Sequence, residues 1–295
     1  MAFVAGFVGV VGRPNVGKST IVNAVVGQKV SIVSDKPQTT RFAIRGVANG
    51  AGHQIVFVDT PGLHKPRTPL GERLNRRVAE GASNVDVLLL VVDAGAGVGS
   101  GDAFVADREL PGFSGPKICA ANKIDLVKRD ALVRELDAAS RFAGIDHIVP
   151  VSARTGAGMG ELVDVIVSCL PEGDPLFPAD QVTDLPLELR IEEVVREKAL
   201  AVAREELPHS IAVRVEEIEV DDDADLARVA CTVFVERESQ KGILVGRGGA
   251  TIKGIGTRAR AELEPMLGRH VFLDLRVKVL REWQRDPSAL DRLGL

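Results

Sequence analysis

The chain has 295 residues but only three cysteines, Cys119, Cys169 and Cys231, set far apart in apolar stretches. That spacing supplies neither a disulfide framework nor a thiolate metal cluster, and it suits a reducing cytosol. The five histidines form no cluster that points to a metal site. The longest apolar runs, such as residues 85–92, fall well short of the roughly 18 residues that a membrane-spanning helix needs. The apolar start, MAFVAGFVGVVGR, has no basic n-region and runs straight into a functional loop. It therefore reads as a strand and not as a signal peptide. A content of 45% hydrophobic and 26% charged residues excludes a disordered, collagenous or fibrous chain. At roughly 100–200 residues per domain, the length predicts two domains, each able to bury a core.

A formal net charge of −4 conceals a segregation. Residues 1–175 carry 19 Lys and Arg against 18 Asp and Glu, whereas 176–295 carry 18 against 23. Within that second part, 237–285 is basic, 11 against 5, while acids crowd into 216–225. Local sign matters more than the total for a polyanionic partner.

Apolar β-rich runs alternate with helical patterns up to residue 170. Strands are expected at 3–11, 85–93, 117–121 and 147–151, with a hairpin of 42–48 and 54–59 across Asn49-Gly50-Ala51-Gly52. Helices are expected from 20, at 70–82, 131–142 and 160–170. This alternation predicts a mostly parallel sheet with helices on both faces, an α/β domain over 1–172. Four prolines and three aspartates in 171–186 mark a linker, placed at 173–186. Beyond it, 187–295 has an α+β grammar: a helix at 187–206, strands at 211–220 and 227–236, two short helices around Gly246–Gly249, and a last strand at 271–280.

Gly12-Arg13-Pro14-Asn15-Val16-Gly17-Lys18-Ser19 satisfies the GxxxxGK[ST] pattern between a strand and a helix, with Thr20 opening the helix. Glycines let the backbone N–H groups converge on phosphate oxygens, and the helix start adds partial positive charge. Lys18 is placed to reach the β- and γ-phosphates, and Ser19 to ligate Mg²⁺. Asp59-Thr60-Pro61-Gly62 ends a strand, where Asp59 can hold Mg²⁺ and the Gly62 N–H can meet the γ-phosphate. Asn122-Lys123-Ile124-Asp125 follows another strand. The Asp125 carboxylate can accept two hydrogen bonds from guanine that adenine cannot offer. Ser152 and Ala153 close the set near the guanine O6. These motifs predict a GTP-binding domain; an ATPase with the same loop is the alternative, against which NKID argues.

Between the phosphate loop and Asp59, the segment DKPQTTR offers a threonine hydroxyl to complete the Mg²⁺ shell when the γ-phosphate is present. Thr40 is preferred there and Thr39 stays open. Position 63 is Leu, where many signalling GTPases place a water-orienting Gln, which implies slow intrinsic hydrolysis. His64 is either a catalytic group or a solvated switch-loop residue. Catalytic roles are assigned to Lys18, Thr40 and Asn15, whose amide oxygen is expected to help hold K⁺ near the β–γ bridge.

In the second domain, Gly246-Arg247-Gly248-Gly249 joins two helical patterns. A GxxG loop brings backbone flush against a nucleic-acid strand, and Lys241, Arg247, Lys253 and Arg258 surround it with charge. An apolar face of Ile243, Leu244, Ile252 and Ile255 is expected to hold about four unstacked bases. The element order matches a type II KH domain. Trp283 is open between a packing anchor and a base platform.

The stretches GRPNVGKST, KPQTTR, DTPG, NKID, VSARTG and VERESQKGILVGRGGATIK together resemble the Era family of GTPases over the whole chain. The resemblance implies binding of small-subunit ribosomal RNA near its 3′ end, a role in assembly of the 30S subunit, and a cytoplasmic location with peripheral contact to the inner face of the membrane. Gly248 stands where many KH domains have a basic residue, which removes one phosphate contact. The expected protein is a monomeric, Mg²⁺-dependent GTPase that hydrolyses GTP to GDP and phosphate. The rival reading is a GTPase switch of another class whose C-terminal module binds protein or membrane.

Overall fold

The computed structural model describes residues 2–33, 44–59, 68–74, 85–203 and 210–295. Thr39, Thr40, Gly62, Leu63, His64 and most of the expected helix at 70–82 lie outside them. Among the described residues the chain forms two compact units, and along its second half the division falls between Asp184 and Leu185.

The first unit runs β1 (Val4–Val11), α1 (Lys18–Val26), β2 (Ile44–Gly50), β3 (His53–Asp59), β4 (Val87–Asp93), α2 (Ser100–Glu109), β5 (Lys117–Asn122), α3 (Arg129–Ser140), β6 (His147–Pro150) and α4 (Met159–Cys169). Its sheet has the order β2-β3-β1-β4-β5-β6. The expected hairpin is the antiparallel β2–β3 pair, and every other pairing is parallel. Strand β4, VLLLVVD, is buried at every residue because both of its faces are covered, and so its sequence does not alternate. Leu89 and Val91 join Ile21, Val22, Leu162 and Ile166 on one side of the sheet. Leu88, Leu90 and Val92 join Val105, Ala106 and Ala139 on the other. Since the strands are parallel, the segments following β1, β3, β4, β5 and β6 leave from one edge of the sheet, where ligand sites of open α/β sheets form.

The segment read as a linker is bound to this first unit. Ala5 N–H donates to Pro171 O at 3.1 Å and Gly173 N–H to Phe3 O at 3.0 Å. The buried Gln54 amide accepts from Leu176 N at 2.7 Å and Phe177 N at 2.9 Å, and donates to Phe177 O at 2.9 Å. Further on, Asn49 Nδ2 donates to Ala179 O, Val47 N–H to Val182 O, and Arg45 pairs with Asp184. Residues 171–184 thus run as a strap from the start of β1 to the outer side of β2, held by backbone bonds at both ends and by the side chains of Gln54, Asn49 and Arg45.

The second unit runs α5 (Leu187–Val202), β7 (Ala212–Asp221), β8 (Leu226–Val235), α6 (Glu238–Val245), α7 (Ala250–Leu267), β9 (His270–Val279) and α8 (Pro287–Arg292). The sheet order is β7-β8-β9, with β7 antiparallel and β9 parallel to β8. Ala227, Val229, Cys231, Val233 and Val235 alternate inward from β8, whereas Arg228 faces out. Trp283 is fully buried and donates Nε1–H to Ser210 O at 3.1 Å. It is therefore the packing anchor of the two alternatives. Helix α5 buries charged residues: Arg196 makes a two-pronged pair with Glu193 at 2.7 and 2.8 Å, and Glu192 accepts the Val215 N–H at 2.9 Å beside a β-bulge.

Candidate nucleotide site and nucleic-acid groove

The loop between β1 and α1 is shaped by its glycines. Gly12 has φ 152, and a Cβ there would stand 2.5 Å from the Val91 carbonyl oxygen. Gly17 has φ 102, and a Cβ there would lie 2.2 Å from Asn122 Nδ2. Asn15 adopts a left-handed φ of 65 without being glycine. Val16 is buried in the core beneath the loop. The buried Lys18 ammonium donates to the carbonyls of Gly12 at 3.1 Å and Arg13 at 3.0 Å, so it is folded back across the loop. Burial brings its pKa down to about 8, against an opposing pull from Asp59. The Arg13 side chain leaves the loop instead of facing it: Nε donates to Asp102 Oδ1 on α2 at 2.7 Å. Arg13 thus lends the site its backbone.

Ser19 Oγ donates to Asp59 Oδ2 at 2.7 Å, bringing two expected metal ligands from α1 and the end of β3 together. Asp59 is fully buried, and its Oδ1 has no hydrogen-bond partner among the described residues. Burial raises its pKa, while the Ser19 hydroxyl, Lys18 and the Ser31 hydroxyl act in the opposite direction. A hydroxyl beside a carboxylate with one buried, unengaged oxygen is the donor set of a hard, oxygen-seeking cation.

The NKID segment is held against the phosphate loop by its own side chains. Asn122 Nδ2 donates to Val16 O at 2.9 Å, and its Oδ1 accepts the Ala153 N–H at 3.1 Å. Lys123 Nζ donates to Asn15 O at 2.7 Å. Asp125 accepts from Ser152 Oγ at 2.6 Å and from Arg154, and these contacts, the Ser152 hydroxyl first, hold its carboxyl below the usual range. Arg154 is largely exposed, so it is the partner that a ligand's N–H donors would replace. Sequence reading did not find Asp93, at the end of β4, or Asp102, at the start of α2. No local motif marks either; their partners Lys123 and Arg13 are 30 and 89 residues away.

In the second unit, Gly246, Gly248 and Gly249 all have left-handed φ, at 73, 58 and 79. A Cβ on Gly246 would meet Thr251 Oγ1 at 2.2 Å, whereas one on Gly248 would point into open space. In the same unit, α7 and β9 form a groove of about 300 Å³ lined by Ile252, Lys253, Gly256, Thr257 and Arg260 of the helix and Phe272, Leu273 and Leu275 of the strand. The apolar face expected beside the loop divides: Ile252 lines the groove and Ile243 is half exposed, but Leu244 and Ile255 are core residues. Of the expected basic residues Lys253 lines the groove; Lys241, Arg247 and Arg258 do not. Arg260 and Phe272 were not anticipated. The spacing of Lys253, Thr257 and Arg260 along one face of α7 is the signal that could have found Arg260.

Comparison with known proteins decides the family. A family model described as "50S ribosome-binding GTPase" matches residues 7–123, and a KH domain model matches 206–284. GTPase Era of Mycolicibacterium paratuberculosis is 47% identical over 297 residues, covering 99% of each chain. The chain belongs to the GTPase Era family. Era from Mycobacterium sp. strain KMS is 48% identical with the same coverage. A crystal structure of Era in complex with MgGDPNP and nucleotides 1506–1542 of 16S ribosomal RNA is 41% identical, with a TM-score of 0.95 over 99% of each chain. An Aquifex aeolicus Era variant bound to GDP and AlF4⁻ is equally similar. The Era fold, a P-loop GTPase domain followed by a KH domain, is the architecture described above.

Proposed function

We propose that this Era-family chain is a GTPase that binds small-subunit ribosomal RNA through its KH unit and acts in assembly of that subunit. The observation that carries the reading is the junction of Asn122 with the Val16 carbonyl, which ties a guanine-type base motif to a phosphate loop. It is supported by the full-length likeness to an Era solved with MgGDPNP and 16S ribosomal RNA. The "50S" of the family-model description covers the GTPase unit, whereas that likeness extends through the KH unit and favours the small subunit.

In this reading 1–172 is the catalytic domain, 173–186 connects, and 187–295 binds RNA. The backbone of 12–20 cradles phosphate oxygens, and Lys18 turns from its loop carbonyls to their charge. Ser19, Asp59 and Thr40 would hold Mg²⁺, which when bound neutralises charge on the phosphates. Gly62 would supply an N–H to the γ-phosphate. Asp125 accepts the guanine N–H donors, and Ser152 and Ala153 back the base site. Lys253 and Arg260 would supply positive charge to a groove whose apolar lining takes unstacked bases, and Lys241, Ile243, Arg247 and Arg258 would add contacts to the RNA. The GTP-bound protein holds RNA, and hydrolysis releases it.

Sequencing RNA crosslinked to GTP-loaded protein tests this directly. Enrichment of 16S sequence near its 3′ end is expected, and loss of turnover in Lys18→Ala. Crosslinks to no RNA, with a captured protein instead, would establish the rival switch. We extend the proposal to K⁺ held by Asn15; equal hydrolysis rates in Na⁺ and K⁺ would refute it. Among the described residues no helix is long and apolar enough to cross a membrane. Vesicle cosedimentation tests the peripheral membrane contact, and light scattering tests the expected monomer.

A further inference from the structure

Asp93 touches none of the atoms assigned to nucleotide above, yet it sits at the crossing point of the site. It is the last residue of β4, paired in register with Asn122 of β5, and it is largely buried. Its Oδ1 accepts the Ala96 N–H at 3.0 Å, which fixes the carboxylate to the turn that follows β4. Its Oδ2 accepts from Lys123 Nζ at 2.6 Å. The same ammonium donates to the Asn15 carbonyl in the phosphate loop at 2.7 Å. Lys123 thus bridges from the base motif to the phosphate loop, with its charge between a carboxylate and a carbonyl.

Two features show that this bridge has to be held. Lys123 has φ 65, a left-handed conformation that a non-glycine residue adopts only against a steric penalty. Its side chain is also one-third exposed, so without a fixed anion the ammonium gains more hydration by swinging into water than it loses by leaving one neutral carbonyl. The Asp93 carboxylate supplies the charge-assisted contact, and the Ala96 amide keeps it from following the lysine outward.

We infer that Asp93 is a positioning residue for guanine-nucleotide binding: it pins Lys123 across the site, so that the base motif and the phosphate loop stand in their binding relation before nucleotide arrives. The inference rests on the guanine-nucleotide reading. It assigns Asp93 no contact with nucleotide; its whole effect passes through Lys123.

The test is a double-mutant cycle on affinity for a fluorescent GDP and on its release rate, using full-length protein with Asp93→Ala, Asp93→Asn, Lys123→Ala and the paired variants. Asp93→Ala should weaken binding about tenfold by faster release, with kcat at saturating GTP within about twofold, as expected for loss of one charge-assisted contact. Asp93→Asn keeps the shape and the Ala96 acceptor and should lose about threefold. In a Lys123→Ala background either change should alter affinity by less than about twofold, since the residue it acts through is gone. Losses that add in full to that of Lys123→Ala, or a release rate unchanged in both Asp93 variants, would overturn the proposal. Should Asp93→Ala fail to fold, the Asn cycle carries the same test. Wild-type protein that does not bind GDP would overturn the nucleotide reading, and this one with it.

Discussion

Gly17 and Asn122 are in such close apposition that a methyl group on the glycine would stand 2.2 Å from the asparagine Nδ2. The contact is between the phosphate loop and the base motif, 105 positions apart in the chain. Gly17→Ala would face both this collision and the penalty of about 1 kcal/mol or more for a left-handed Cβ at φ 102. The asparagine would have to leave the Val16 carbonyl. GDP affinity should fall by about two orders of magnitude, read by titration calorimetry.

The pairing of Ser19 with Asp59 makes a magnesium prediction. Chelation by EDTA should speed GDP release from the wild-type protein by about tenfold or more. In Ser19→Ala the release rate should already be high and respond little to EDTA. A stopped-flow measurement with fluorescent GDP distinguishes them; an undiminished EDTA response in the variant would remove Ser19 from the metal site.

Open space beside Gly248 permits a negative charge to be introduced there without a clash. Gly248→Asp should leave the thermal midpoint within a few degrees, since the only penalty is the left-handed φ of 58, which aspartate tolerates better than most residues. RNA affinity should drop by about tenfold through repulsion of phosphates. Lys253→Ala and Arg260→Ala, which empty the groove of charge, should also flatten the dependence of binding on salt. Filter binding at several salt concentrations reads both effects.

Glu192 predicts a pH-dependent stability. Burial raises its carboxyl to about 7, with the Val215 N–H and Arg214 opposing and Glu193 and Glu188 adding to the rise. The folded state therefore holds a proton that the unfolded chain releases near its ordinary value of 4.5. The stabilisation this confers is full below pH 4.5 and is lost as pH climbs through about 7. Glu192→Gln abolishes that term. Compared with wild type, the variant should gain about 3 kcal/mol on going from pH 4.5 to pH 8, measured by urea unfolding.

The strand–loop–helix of the phosphate site and the strand before NKID were legible because local signals coincide: an apolar run, glycines at positive φ, and a helix start within a few residues of each other. The α+β grammar of the second unit was legible from the alternation in β8. What was hidden is non-local. Asp93 and Asp102 find their basic partners only once β4, β5 and the phosphate loop are side by side. Leu244 and Ile255 have the same apolar character as Ile243 and Ile252, and only the packing of α6 and α7 on the sheet separates core from groove. The segment 171–184 reads as a linker since it has no period of its own; its backbone is satisfied by Asn49 and Gln54, residues more than 120 positions earlier in the chain.

That strap has a consequence for solubility. An outermost β-strand with bare N–H and C=O groups invites pairing with another molecule. Here Val182 and Thr183 occupy part of β2's outer margin, bridging Gly46 and taking the Val47 N–H. A fragment cut just before residue 171 would retain the complete six-stranded sheet but shed this cover, and its laid-bare margin would make it prone to self-association at concentrations where the longer chain stays dispersed.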